Sequence, residues 1–348
     1  MAGTGVSGYS GDGSLATNAA VGMIYGVAFD GQGNLYMSDS NNYRVRMIAN
    51  STGIITTVAG TGVAGTGVAG NSGDGGLATS AALQSPSGIA VDVLSGDIYI
   101  ADNQIKKVTK STGIITTVAG ADPSDMAYGA TGLAMDPKLQ LLYILSNGRV
   151  LVQTRSTGGV DVIAGQSTGG YSGDGGLATN ANLLKPFSIT VDVLTGNIYI
   201  ADNGNSRVRM ITKSTGIITT VAGNGVADNS GDGGLATAAA LRSPMGMAVD
   251  MQGNVYIADS SSNCVRKVTK STGIITTVAG TGVSGYSGDG GLAVAAQLNS
   301  PWGVAVNSAA GIVAFYDFNN VRVRSFTVSK VTSSPSAAPT GRTILCHV

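Results

Sequence analysis

The ten residues STGIITTVAG stand at 51–60, 111–120, 214–223 and 271–280, and a drifted copy, STGGVDVIAG, stands at 156–165. A chain that reuses a decapeptide unchanged is a repeat array, and the repeat decides the architecture before any other feature. Each copy closes a longer unit. In the fourth unit the order is SITVDV (188–193), a Thr-Gly-Asn turn, IYIADN (198–203), a polar turn, RVRMITK (207–213), Ser-Thr-Gly and IITTVAG. Four short β-branched runs punctuated by Gly, Asn and Asp predict a four-stranded antiparallel meander. The first strand recurs at 26–30, 88–92, 132–136, 188–192, 246–250 and 303–307, which makes six units. Several strands are apolar on both alternations, as sheets with neighbours on both faces require. Closed radially, they predict an all-β fold: a six-bladed β-propeller with four-stranded antiparallel blades and long Gly-rich inserts between them.

Composition agrees. All twenty acidic residues are Asp, and 53 of 348 residues are Gly, outside any triplet period. Asp and Gly serve turns, whereas helices favour Glu. Twenty basic residues balance the acids, so there is no basic stripe for nucleic acid. No apolar run approaches the roughly 20 residues of a membrane span. The opening MAGTGVSGYSGDG lacks the features of a signal peptide and reads like 278–290 begun in mid-repeat. The expectation is a monomer or a module of a longer chain, with the propeller at 1–332 and a Ser/Pro/Ala-rich linker and tail at 333–348. The sixth unit has no IITTVAG after RSFTVSK (324–330), so its outer strand must come from the tail or from upstream of Met1. Asn50-Ser51-Thr52 fits a glycosylation acceptor and points to an extracellular setting.

The units resemble NHL repeats, whose hallmark is a strand ending in Ala-Asp, an Asn-rich turn and Arg-Val-Arg. That pattern appears as ADNGNSRVR (201–209), SDSNNYRVR (38–46) and YDFNNVRVR (316–324), and in degraded form at 101–108, 145–150 and 258–266. The resemblance covers nearly the whole chain. It implies the propeller fold, and it spans protein-binding, RNA-binding, sensor and lyase functions.

Five inserts of the approximate form SGYSGDGGLATxAAL, at 7–20, 71–83, 171–183, 229–241 and 286–298, are far longer than the ~4–6 residues of an ordinary connection. They are expected to crown the face that carries the Asn-rich turns. Between the second and third units ADPSDMAYGA (121–130) replaces the insert and leaves a gap in that crown.

The insert aspartates Asp12, Asp74, Asp174, Asp232 and Asp289 are expected to N-cap the short turn that follows them, with a shared cation as the alternative. The strand-end acids Asp39, Asp102, Asp202, Asp259 and Asp317 are expected to pair across the hairpin with Arg44, Arg207 and Arg322. The only histidine is His347, so no His-ligated metal centre or Ser/Cys–His nucleophile pair is available in the propeller body. No cofactor is expected. Cys264 replaces the Arg that opens a third strand, and Cys346 lies in the tail. A buried thiol and a Cys264–Cys346 disulfide are both compatible with that placement.

Positions common to every blade build the fold, so a specific site belongs where the repeat breaks. That reasoning selects Tyr128 in the gap loop and Phe187, Met245 and Trp302 at the start of innermost strands, with Met247 beside them. Tyr9, Tyr171 and Tyr286 in the inserts are candidate contacts, because exposed Tyr suits an interface. The expected function is a non-enzymatic binding scaffold with a protein or glycan partner, its binding residues being Tyr128, Trp302, Phe187, Tyr171 and Tyr286. The alternatives are a calcium-dependent hydrolase or lyase, which needs three carboxylates on the channel axis, and a purely structural module of a larger extracellular protein.

Overall fold

The computed structural model describes residues 1–64, 73–120, 127, 129–155, 158–166 and 168–328, and the backbone of 346–347. It contains six four-stranded antiparallel sheets, each with its strands in sequence order, arranged in a ring. The blades occupy 24–59, 89–119, 132–164, 188–222, 244–279 and 301–327, and Cys346–His347 completes the sixth. Blade 4 shows the pattern: Ser188–Val191, Ile198–Asp202, Arg207–Ile211 and Ile218–Ala222, running from the channel outwards. The second strands of blades 1, 2, 4 and 5 are buried along their whole length, because each lies between two neighbouring sheets. Among the described residues no helix is long and apolar enough to cross a membrane.

The ring closes tightly at its centre because glycine starts most innermost strands. A Cβ on Gly26, Gly88, Gly246 or Gly303 would lie 2.7–2.8 Å from a backbone carbonyl of the next blade. Adjacent first strands can therefore touch only where that carbon is missing.

The inserts depart from the expected crown. Their first halves do lie beside the Asn-rich turns, where the Asn42 side chain donates to the Gly8 carbonyl and Asn205 to Gly170. Their second halves run instead along the outer edge of the following blade. Gly13 N–H donates to Ile55 O at 2.8 Å, Ile55 N–H to Ser14 O at 3.0 Å and Ala16 N–H to Gly53 O at 2.9 Å, and blades 2, 4 and 5 repeat the set. An outer strand otherwise exposes unpaired backbone groups, and the insert supplies partners for them. The small residues that follow are wedges. Ala78, Ala81 and Leu83 are buried in one cluster with Val45 and Ala59 of blade 1 and Ile98 and Ile115 of blade 2.

Both chain ends supply the missing outer strand of blade 6. Cys346 and His347 pair with Phe326 and Ser325. Ala2 and Val323 exchange backbone hydrogen bonds of 3.0 and 2.9 Å. Ala2 thereby takes the place that Ala59 holds opposite Val45 and Ala222 opposite Val208.

Candidate functional site

Six residues, one per blade, ring the channel where the innermost strands begin: Tyr25, Ser87, Thr131, Phe187, Met245 and Trp302. Blades 4, 5, 6 and 1 carry bulky side chains there, whereas blades 2 and 3 carry small hydroxyls. Phe187 reaches across the channel to Tyr25 on the opposite blade, with ring centroids 6.3 Å apart, and meets Trp302 edge-on at 5.6 Å. Trp302 lies 5.3 Å from Tyr25 and stacks on Phe318 at 4.1 Å. The aromatic cluster closes one side of the mouth and leaves a pocket of about 290 Å³ on the other. Ser85, Ser87, Asn103, Gly129 and Thr131 line that open side. The Ser87 hydroxyl lies 3.2 and 3.4 Å from the Ala101 and Ala130 carbonyls, and Gly129 N–H donates to Asn103 O. Deeper in the channel the wall is aliphatic: Val27, Ile89, Leu133, Ile189, Met247 and Val304 contribute one side chain per blade.

Phe187 and Trp302 are thus brought together with Tyr25 at the mouth. Tyr171 and Tyr286 stand apart, each in its own insert, and Tyr128 falls outside the described residues. Ser87 and Thr131 were not singled out from the sequence, because small hydroxyl residues stand out at this position only once the ring sets them beside bulky ones.

Most of the charge is structural. The second Arg of each Arg-Val-Arg run (Arg46, Arg209, Arg324, and Arg266 in blade 5) is fully buried. Arg209 donates to Asp174 through Nε at 2.9 Å and through a terminal nitrogen at 2.6 Å, and its other terminal nitrogen approaches Asp202 at 3.4 Å. Lys106 takes the same place in blade 2, 3.1 Å from Asp74. The second Asp174 oxygen accepts the Thr220 N–H at 3.0 Å and the Tyr171 hydroxyl at 3.0 Å. The insert aspartates are therefore clamps on buried cations. The expected N-cap is not formed: Leu15, Leu77, Leu177 and Leu292 occupy the cap positions, with no side-chain cap hydrogen bond. Burial pushes the Asp174 carboxyl up, but its hydrogen bonds with Thr220 and Tyr171 and the Arg209 charge outweigh that and hold it below the ordinary value.

The strand-end acids also differ from expectation. The register sets Asp202 opposite Arg207, but the side chains diverge. Arg207 donates to the Asn205 and Asn224 carbonyls at 2.9 and 2.8 Å and lies over the Tyr171 ring. Asp202 accepts Leu184 N–H and the Asn205 amide, both at 2.8 Å, and faces Arg209. Desolvation dominates at Asp39, Asp102, Asp202, Asp259 and Asp317, whose carboxyls are all raised. Cys264 is a free buried thiol, pushed up to about 12 by burial, which agrees with the first of the two readings its placement allowed and not with a bridge to Cys346. None of the residues lining the axial cavities is acidic, and the described residues hold no group of three or more His, Cys, Asp or Glu able to bind a metal ion.

The Teneurin NHL domain model matches residues 55–170 and 224–284, together just over half of the chain. Teneurin-3 of Mus musculus is 30% identical over 279 residues, which are 68% of this chain and 10% of that protein. NHL repeat-containing protein 2 of Gallus gallus is 36% identical over 132 residues, covering 37% of this chain and 18% of the relative. An auxiliary nutrient binding protein from Bacteroides ovatus shares the fold with a TM-score of 0.65 at 18% identity, over 89% of this chain and 71% of that one. The chain spans about a tenth of the curated teneurins it matches. With six NHL-type blades and that match, it belongs to the teneurin NHL domain family.

Proposed function

We propose that this propeller is a non-enzymatic binding module whose mouth receives a protruding group of a protein or glycan partner. The asymmetric mouth carries this reading: four bulky residues close one side, and Ser87 and Thr131 leave the 290 Å³ pocket open on the other. The pocket joins an apolar floor to hydroxyl, amide and backbone groups at its rim, the mixture that fixes the orientation of a small ligand group. Tyr25 and Phe187 supply its aromatic wall, and Trp302 packs behind both rings. Tyr171 and Tyr286, each 44% exposed, would add contacts where the partner spreads over the rim. The calcium-dependent alternative would need acids on the axis, where the lining offers hydroxyls, amides and aliphatic groups instead. An extracellular setting belongs to the same proposal and draws support from the exposed Asn50 of the glycosylation triplet.

Thr131→Trp tests the reading, because blade 6 already carries Trp at this position. Arrays of immobilised glycans and extracellular proteins are probed with the unmutated and variant propellers at matched stability. Partners captured by the former and lost by the latter would support a mouth site; equal capture would place the site elsewhere.

A further inference from the structure

A second cavity, of about 580 Å³, opens between blades 2 and 3 at the ends of the strands away from the mouth. Tyr99, Lys107, Gln140, Gln153 and Arg155 supply its polar lining, and Thr116 and Val118 form a wall. Three of these are departures from the repeat that converge on one place. Gln153 is 3% exposed, and the register shows Ile48, Val108, Ile211, Val268 and Phe326 at the same position in the other blades. Gln140 sits at φ +54°, where the corresponding turns use Gly33, Gly96, Gly196, Gly253 and Gly311 for the same left-handed backbone. Arg155 replaces the lysine of blades 2, 4 and 5. A buried amide in an aliphatic position and a side chain in a glycine position are both unfavourable for the fold alone.

We infer that this cleft is a binding site for a neutral polyhydroxylated ligand, a mono- or disaccharide. The charges fix the class. Lys107 lies 2.7 Å from Asp97 and Arg155 2.8 Å from Asp92. An anion would have to displace those carboxylates, and a cation would have to displace Lys107 and Arg155. Tyr99 lines the cavity at only 1% exposure with Arg155 beside its ring, and among the described residues its hydroxyl forms no hydrogen bond of good geometry. Such a group needs a partner, and a sugar hydroxyl both donates and accepts, so it can serve Tyr99 and the Gln153 carbonyl oxygen in turn. The Gln153 amide nitrogen donates to Val118 O at 2.7 Å, which holds the side chain in place. The volume lies within the roughly 300–1,000 Å³ of ligand pockets. This site is separate from the mouth and does not rest on the reading given to it.

The test uses saturation-transfer NMR and calorimetry on the intact chain with free glucose, galactose, mannose, N-acetylglucosamine, maltose and cellobiose, and with glucose 6-phosphate as the anionic control. At least one neutral sugar should receive saturation. The Gln140→Gly/Gln153→Ile double variant should weaken its binding at least tenfold. That variant restores residues already tolerated in sister blades, so the fold should survive. Thr131→Trp at the mouth should leave sugar binding unchanged. Four results would each overturn the inference: no transfer to any sugar, binding that survives the double variant, binding lost in Thr131→Trp, or tighter binding of glucose 6-phosphate than of glucose.

Discussion

The Arg207 guanidinium lies 3.8 Å above the centre of the Tyr171 ring, and the same pair recurs as Arg44 on Tyr9 at 3.7 Å and Arg322 on Tyr286 at 4.1 Å. Each pair joins the first half of an insert to the third strand of the blade it covers. Where the insert has Asn instead of Tyr, the arginine is missing as well: Asn229 accompanies Cys264, and Asn71 accompanies Gln104. In these five blades the two positions change together, as expected where a guanidinium gains from a ring to lie on in addition to the carbonyls it donates to. A double-mutant cycle of Tyr171→Ala and Arg207→Ala should give a coupling of about 0.5–1 kcal/mol, the range for an exposed cation–π pair. Independent effects in thermal or chemical unfolding would show that the stacking carries no energy.

The buried clamp should matter more. Asp174→Ala leaves Arg209 in the interior without its closest counter-charge, and breaking a buried pair from one side costs about 3–5 kcal/mol. Part of Asp174 is solvent-accessible, so the lower end of that range is expected. Added calcium should not restore the loss, because the carboxylate is occupied by protein donors. Calcium-dependent stabilisation of the unmutated chain, absent in the variant, would argue for a shared cation.

Acid should expose the same group. The Asp174 carboxyl ionises more readily in the folded chain than in the unfolded one. Its contribution is therefore complete above the ordinary value of 3.8 and drains away as pH falls through the lower folded value. The raised carboxyls, such as Asp202, act in the opposite sense and favour folding as they take up protons. Asp174→Asn should flatten the loss of stability below about pH 4, and Asp202→Asn should steepen it. Urea midpoints measured from pH 2.5 to 6 distinguish the two, and parallel profiles would contradict the assignment.

The repeat made the fold legible. Four β-branched runs per unit and six first strands translate directly into six sheets, because period and turn residues are local properties. The inserts were misread in part because their partners are not local. Nothing near Asp174 in the chain announces that its carboxylate reaches Arg209, thirty-five residues on. An acid before a short turn ordinarily caps it. Of the mouth, Trp302 and Phe187 were visible as large departures, whereas Ser87 and Thr131 were not. A small residue becomes informative only once the ring sets it beside large ones. Gln140 and Gln153 escaped for another reason: only register shows that they occupy a glycine position and an aliphatic one.

The centre of the ring should tolerate no added carbon. A Cβ on Gly303 would sit 2.8 Å from the Tyr25 carbonyl, a contact that side-chain movement cannot relieve. Gly303→Ala should cost about 1–3 kcal/mol, as overpacking does. Gly290→Ala, with open space but φ +79°, should cost less, about 1 kcal/mol. Equal losses in the two variants would show that backbone conformation, not the contact between blades, sets the requirement for glycine.

The seam between blades 6 and 1 joins the first and last blades of the chain through one buried cluster and a few hydrogen bonds, which makes it the place to test how the ring stays closed. Ala2 and Val323 exchange two backbone hydrogen bonds, Arg322 donates to Thr4 O at 2.7 Å, and the buried Tyr316 hydroxyl donates to Gly22 O at 2.8 Å. Ala2→Pro removes one donor, leaving the Val323 carbonyl without its partner in a buried setting. A buried acceptor left unmatched costs about 1–3 kcal/mol. The variant should unfold at lower temperature, and its added amide exchange should concentrate in blade 6 and the first insert, with Val208 in blade 4 keeping its protection. Tyr316→Phe should produce the same regional pattern with a smaller shift, because the Gly22 carbonyl loses one side-chain donor while the Ala2–Val323 pair remains. If exchange instead rises uniformly around the ring, closure is not a local property of this seam and the six blades open as one cooperative unit.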